Sequence, residues 1–291
     1  MNRMRRFVIL PIAMLVLAAC QGGGTGDGSP SAGGDATGLL AEILEAGEIR
    51  VSTDPAYPPQ SFLNEETNEL EGFDIDVAKE IGERLGVEVT FETPSFDAVV
   101  AGSWADRWDM SVGSVTITPE RDEVLDFTQP YYFTPAQMTT TEGTGIESLE
   151  DFSGTTVCVG AATTYFFWLD GTLELPDSAG EITDPPADVT ASTLETDTDC
   201  PQAWAAGRMD FEGWLTALPT ADTAIADGLP VVLVGDPVFY EPIAVAFDGG
   251  VDGVETLTER VDEIVGEMHE DGTLTELSEK WYEGTDLTTQ E

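Results

Sequence analysis

"LEGFDIDVAKEIGERLGVEVTF" occupies residues 70–91, and its two halves keep different periods. Ile75, Ala78, Ile81, Gly82 and Leu85 recur at the spacing of one helix face, while "VEVTF" (87–91) reads as a strand. "EIRVST" (48–53), upstream, reads as another, so the segment predicts a strand–helix–strand unit. Working outward, "DMSVGSV" (109–115) is a third strand candidate. A second series follows in "TTVCVG" (155–160), "MDFEGWL" (209–215) and "PVVLVG" (230–235). "IAVAF" (243–247) opens a last section, and the helix after it carries Val254, Leu257, Val261, Ile264, Val265 and Met268 on one face. Strand–helix–strand, repeated three times, predicts an α/β fold with a parallel sheet.

The N-terminus predicts export. "MNRMRR" is basic, and "FVILPIAMLVLAA" (7–19) is an uncharged apolar run. Such a run is shorter than the ~20 residues a spanning helix needs, which fits a signal peptide over 1–19. It ends in "LAAC", Leu17 to Cys20, and closely resembles a bacterial lipobox. Cleavage there would leave Cys20 N-terminal and lipidated, a multi-chain anchor on the outer face of the cytoplasmic membrane. Residues 21–38 hold eight glycines and no bulky apolar side chain. Together with Cys20 they predict a flexible tether over 20–38, with a root-mean-square reach of roughly 20–25 Å.

Composition removes several function classes. The chain has 291 residues, with 56 Asp and Glu against 11 Lys and Arg. Loss of the three signal arginines takes the formal charge from −45 to −48 and leaves eight scattered cations. Those cannot build a nucleic-acid surface. One histidine, His269, and two remaining cysteines supply no zinc-type cluster, so neither metal nor cofactor is expected. No GxSxG elbow or Walker loop is present, and no enzyme is expected. Asp197 and Asp199 read as a solvated acidic turn in preference to a calcium loop. Cys158 and Cys200, an even pair in an exported chain, are most simply a disulfide, with free buried thiols as the alternative.

Four stretches then stand in order: "IRVSTDPAYPPQSF" (49–62), the 70–91 segment, "SVTITPERDEVLDFTQPYYF" (114–133) and "DGTLTELSEKWY" (271–282). Together they resemble the polar amino-acid type (family 3) of bacterial extracellular solute-binding proteins, which serve ABC importers. "GTTVCVGAATT" (154–164) and "CPQAWAAGRMD" (200–210) resemble members with a disulfide across the second lobe, matching Cys158 and Cys200. The resemblance implies a periplasmic-binding-protein-like fold, two α/β lobes joined by two crossing hinge strands. Lobe 1 would be 39–134 plus 244–291 and lobe 2 138–240, with hinges near 133–137 and 240–244. It also implies a monomer that closes on a small carboxylated solute, most simply an amino acid, and presents it to a permease.

Site roles follow from the same resemblance. Arg121 would take the ligand carboxylate, for which a guanidinium fork is suited. From the residues alone, an ion pair with Asp122, Glu123 or Asp126 is the competing role. Ser114 and Thr116 at a strand end, and Thr163 and Thr164 where a loop enters a helix, would assist. Tyr57 and Phe96 would wall the ligand side chain, and Asp54 would meet a polar or cationic one. One departure stands out: the family pattern "GR-x-D-A-x-x-x-D" ends in the acid that holds the ligand ammonium, and "GRMDFEGWL" puts Leu215 there. Either Glu212 or Glu241 substitutes, or Trp214 faces a quaternary amine, or the ligand is a betaine or organic acid without a primary amine. A dehydratase-like enzyme on the same fold is the rival from another class.

Overall fold

The computed structural model describes residues 36–289. The signal-peptide and Cys20 expectations lie outside the described residues. Helix α1 (Gly38–Ala46) starts at the last residue of the expected tether. It leads into β1 (Glu48–Ser52), a small antiparallel sheet of β2 (Ala56–Tyr57), β3 (Ser61–Asn64) and β4 (Glu69–Glu71), then α2 (Phe73–Leu85) and β5 (Glu88–Glu92). Next come α3 (Phe96–Val100), β6 (Met110–Thr116), β7 (Leu125–Phe127) and the long β8 (Tyr132–Thr140). The chain continues through β9 (Thr156–Gly160), α4 (Thr164–Leu169), β10 (Thr190–Leu194), α5 (Asp199–Ala205), β11 (Gly213–Ala217), α6 (Leu218–Ala226) and β12 (Val232–Leu233). It returns along β13 (Phe239–Asp248) and closes with α7 (Val254–Glu270) and α8 (Thr273–Trp281).

The large sheet runs β10-β9-β11-β8-β13-β6-β1-β5. It is parallel only in its wings, where β1 pairs with β5 and β6, and β9 with β10 and β11. The centre is antiparallel: β11 with β8, β8 with β13, and β13 with β6. The parallel sheet expected from the repeated units is thus confined to the wings, and the reason is physical. Repeated helical crossovers build parallel wings, but a strand that returns from one half of the sheet to the other must run backwards. Two strand assignments also shift. "PVVLVG" keeps only Val232 and Leu233, paired antiparallel on β8, and "MDFEGWL" yields a strand from Gly213 onward.

The helix face expected from 70–91 is the face that α2 buries: Ile75, Ala78, Ile81, Gly82 and Leu85 are all inside. Gly82 is required by close approach, since a Cβ there would come within 2.2 Å of Val89 on β5. All six apolar positions of α7 are likewise buried. They join Ile49, Val51, Val112, Tyr132, Ile243 and Val245 in one core. A second core holds Ala136, Met138, Val159, Trp168, Leu215 and Phe239. Each such side chain contributes about 1.5–3 kcal/mol on burial. β8 and β13 each place residues in both cores, so they are the two strands that cross between the α/β lobes. Beside the second core, Cys158 of β9 is disulfide-bonded to Cys200 of α5 among Trp204, Phe211 and Trp214. A cross-link closing a loop of this size typically adds about 2–4 kcal/mol.

Candidate functional site

The eight side chains expected from the sequence line one cavity of about 280 Å³, near the lower end of the ~300–1,000 Å³ usual for small-molecule sites. Asp54 comes from the turn after β1, Tyr57 from β2, Phe96 from the start of α3, and Ser114 and Thr116 from the end of β6. Arg121 sits in the turn that follows β6, and Thr163 and Thr164 open α4 across the cavity. Two non-glycine residues in this shell, Ser114 (φ 55°) and Ala162 (φ 60°), hold left-handed backbones. Strain of that kind persists only where the surroundings enforce it.

Arg121 is only 4% exposed, yet among the described residues no carboxylate forms an ion pair with it. The competing role, a pair with Asp122, Glu123 or Asp126, is absent. Its Nη1 donates to the Thr116 carbonyl at 2.9 Å, and its Nη2 to the Ala162 carbonyl on the opposite wall at 3.1 Å. The Phe96 ring stands 5.2 Å from the guanidinium carbon. Burial lowers the arginine to about 10, opposed by the charge of Glu241. A cation buried without a counter-ion is costly, and a bound anion removes that cost.

The hydroxyls expected to assist are already engaged within the protein. Ser114 Oγ donates to Asp74 Oδ2 at 2.8 Å and meets the Tyr132 hydroxyl at 2.8 Å. Thr163 Oγ1 donates to the Gly160 carbonyl at 2.9 Å and accepts from the Phe166 amide, capping α4. Thr116 and Thr164 both donate to Glu241 Oε1, the former at 2.7 Å. Thr134 Oγ1, which also borders the cavity, is buried and has no hydrogen-bond partner among the described residues.

The opposite end of the cavity is acidic. Asp54, Glu195, Asp197 and Asp199 line it, Glu241 lies nearer Arg121, and Arg121 is the one cation lining the cavity among the described residues. Asp54 Oδ1 accepts from the Ala56 amide at 2.7 Å, and burial raises its carboxyl, with Asp199 adding to the effect. Asp197 is 4% exposed, which corrects its reading as a solvated turn. Burial pushes it up to about 7, reinforced by Asp54 and Glu241, while the Thr216 hydroxyl at 2.5 Å holds it down. Burial also raises Glu241, against the donors Thr164 and Thr116 and the charge of Arg121. Leu215 and Trp214 lie in core clusters away from this cavity, and Glu212 Oε2 accepts from the Thr156 amide. Of the acids weighed as amine partners, Glu241 alone lines the cavity.

The family model of the bacterial extracellular solute-binding proteins, family 3, matches residues 49–284. The chain belongs to that family. The L-cystine-binding protein TcyJ of Escherichia coli (strain K12) is 29% identical over 253 residues, covering 86% of this chain and 88% of the relative. Among solved structures, the ancestral amino acid-binding protein AncCDT-1, a precursor of cyclohexadienyl dehydratase, superposes with a TM-score of 0.70. It shares 28% identity, covering 84% of this chain and 99% of that one. An ancestral arginine-binding protein bound to arginine gives 0.68 at 28% identity, covering 81% of this chain and 98% of that one.

In this solute-binding protein several hydrogen bonds cross the cleft besides Arg121 to Ala162. The hydroxyls of Tyr57 and Tyr165 lie 3.1 Å apart, Thr198 Oγ1 donates to the Ala56 carbonyl at 2.9 Å, and Thr220 Oγ1 donates to Gln60 Oε1 at 3.1 Å. Glu241, on the crossing strand β13, joins Thr116 of one wall to Thr164 of the other. Sequence reasoning did not name Tyr165, Thr134 or Asp197 for the site. One usable signal for Asp197 was Cys200, three residues on, whose disulfide pins this turn against β9.

Proposed function

We propose that this protein is the substrate-binding lipoprotein of an ABC importer, capturing a small carboxylated solute, an amino acid, between its two lobes and delivering it to a permease. Family membership supports binding outside the cytoplasm and delivery to a transporter. The observation that carries the carboxylate is Arg121, buried in the cavity and forming no ion pair with a carboxylate among the described residues. Lobe 1 would be 39–134 plus 244–291 and lobe 2 138–240, a division supported by the two cores on either side of β8 and β13. Ligand contact with both walls favours the closed arrangement that a permease would recognise. The protein acts as a monomer held to the membrane by lipid on Cys20.

An acid-lined cavity disfavours ligands whose only charge is negative, so an amino acid with a neutral or cationic side chain fits better than an organic acid. AncCDT-1, similar to this chain, is itself an amino acid-binding protein. The test is a thermal-shift screen of the purified protein against the standard L-amino acids, L-cystine, betaines and organic acids, repeated with Arg121→Ala. A ligand at 100 times its dissociation constant should stabilise by about 2.7 kcal/mol. The reading requires a carboxylated hit that is lost in Arg121→Ala and recovered unchanged after incubation. A hit that survives the substitution, or that is converted, overturns it.

A further inference from the structure

The geometry points to Asp197 as the residue that receives the ligand's ammonium group, making the site selective for amino acids over the same carboxylates without the amine. This assignment rests on reading the cleft as an amino-acid site.

The cavity holds five carboxylates, and four are otherwise accounted for or open to water. Glu241 shares one oxygen between Thr116 and Thr164 and lies within the field of Arg121, so it belongs to the carboxylate-binding end. Asp54 uses one oxygen to close its own turn onto Ala56 and is only half-buried, where Asp197 is fully inside. Glu195 and Asp199 are exposed. Asp197 is the remaining acid, buried, bordering the cavity and unpaired with any Lys or Arg among the described residues. Thr216 on one oxygen leaves acceptor capacity for further donors. The same cavity is bordered by Thr134, whose buried hydroxyl has no hydrogen-bond partner among the described residues. Besides Thr216, only the Thr198 backbone helps to hold the Asp197 carboxylate among the described residues, so it and the Thr134 hydroxyl are buried groups on one cavity that an ammonium with three N–H donors would satisfy.

The placement also explains why Leu215 is no defect. β11 runs on to Ala217 before α6 begins, and Leu215 turns into the core. The next residue, Thr216, faces the other way and holds Asp197 by its hydroxyl. The strand therefore acts on the amine end by positioning an acid from the β10–α5 segment, and supplies none itself.

The test is calorimetric titration of the full-length wild type and Asp197→Asn with matched pairs: L-arginine against δ-guanidinovalerate, and L-histidine against imidazolepropionate. Every other standard L-amino acid and L-cystine is titrated alongside, any that binds being paired with its des-amino acid. Asp197→Asn should weaken the amino acid by about 10- to 100-fold and leave the des-amino acid within about threefold. A second readout needs no variant. Ammonium binding forces Asp197 to ionise, so the wild type near pH 7 should release on the order of half a proton with the amino acid and none with its des-amino partner. Asp54 and Tyr57 from the β1–β2 segment, Arg121 after β6, Tyr165 from α4, Glu241 from β13 and neighbouring Glu195 and Asp199 face the same space, and Asp197→Asn isolates the share that is Asp197's own. Equal losses for both members of a pair, or no loss with unchanged proton release, overturn the assignment while leaving the amino-acid site intact. Absence of binding by every amino acid and carboxylate removes the reading of the cleft, and this assignment with it.

Discussion

Two buried acids, one beneath the cleft and one on it, carry almost the same proton affinity and different surroundings. Asp74, in the first turn of α2, is fully buried and raised to about 7 by burial. Asp197, between β10 and α5, is raised to about 7 by the same cause. Asp74 has a donor on each oxygen, Tyr131 on Oδ1 and Ser114 on Oδ2, both at 2.8 Å. Asp197 has the Thr216 hydroxyl on one oxygen and borders a cavity where Asp54 and Glu241 add to its burden. A raised pKa therefore reports burial, and what the remaining lone pairs face decides the role. Asp74 braces the left-handed backbone at Ser114; Asp197 waits for a cation.

The largest way to break that comparison is to remove each carboxyl. Asp74→Ala strands two buried hydroxyl donors and should cost roughly 2–6 kcal/mol of ligand-free stability, whereas Asp197→Ala strands one and should cost about 1–3 kcal/mol. Urea denaturation checks both, and an equal or reversed ranking would mean that Asp197 is a structural acid like Asp74.

Proton linkage sharpens the contrast. A carboxyl whose folded pKa lies above its unfolded value contributes stability that is full below about pH 4 and lost as pH rises through about 7. The displacement at Asp74 is worth up to roughly 4 kcal/mol over that window. Ligand-free wild type should therefore lose stability between pH 5 and 8, and Asp74→Asn and Asp197→Asn should each flatten the slope. With saturating amino acid the Asp197 share should vanish, because the bound ammonium keeps its carboxylate ionised, while the Asp74 share persists. Denaturation midpoints at both pH values, with and without ligand, decide this. Smaller again is Glu241→Gln, which keeps an acceptor for Thr116 and Thr164 but removes the charge shared with Arg121. It should tighten the ligand by up to roughly tenfold, because a negative charge beside the site for the ligand carboxylate is removed, read by calorimetry. An unchanged affinity would confine Glu241 to packing.

The same contrast separates what the sequence discloses from what it hides. Ser114, Thr116 and Arg121 lie within eight residues of one another, at a strand end and the turn after it, so one local motif carries one wall of the cavity. Asp197 lies in "ETDTDC", which by composition is a solvated turn, and is held inside by the Thr216 hydroxyl and by a bridge from nearby Cys200 to Cys158, both anchored by residues distant in the chain. Helix faces were legible for the same local reason, as α2 and α7 show. The antiparallel centre of the sheet was not, because the return of β13 beside β8 is set by packing of two cores that no periodicity encodes.

The smallest effect tests the second unpartnered group. Thr134 Oγ1 is buried beside the cavity with no hydrogen-bond partner among the described residues, a state that costs free energy in the unliganded protein. Thr134→Val replaces that hydroxyl with a methyl of similar shape. If the hydroxyl serves the ligand, the variant should gain up to about 1 kcal/mol of ligand-free stability and bind its amino acid about fivefold more weakly. The two changes must come together, since the cost removed from the empty protein is the same unmet hydrogen bond that binding would form. Thermal unfolding of the empty protein and calorimetry of the complex measure them separately. A gain in stability with unchanged affinity would leave Thr134 as a tolerated fault in the crossing strand, and the ammonium would then have to rest on Asp197 and its acidic neighbours without a hydroxyl from β8.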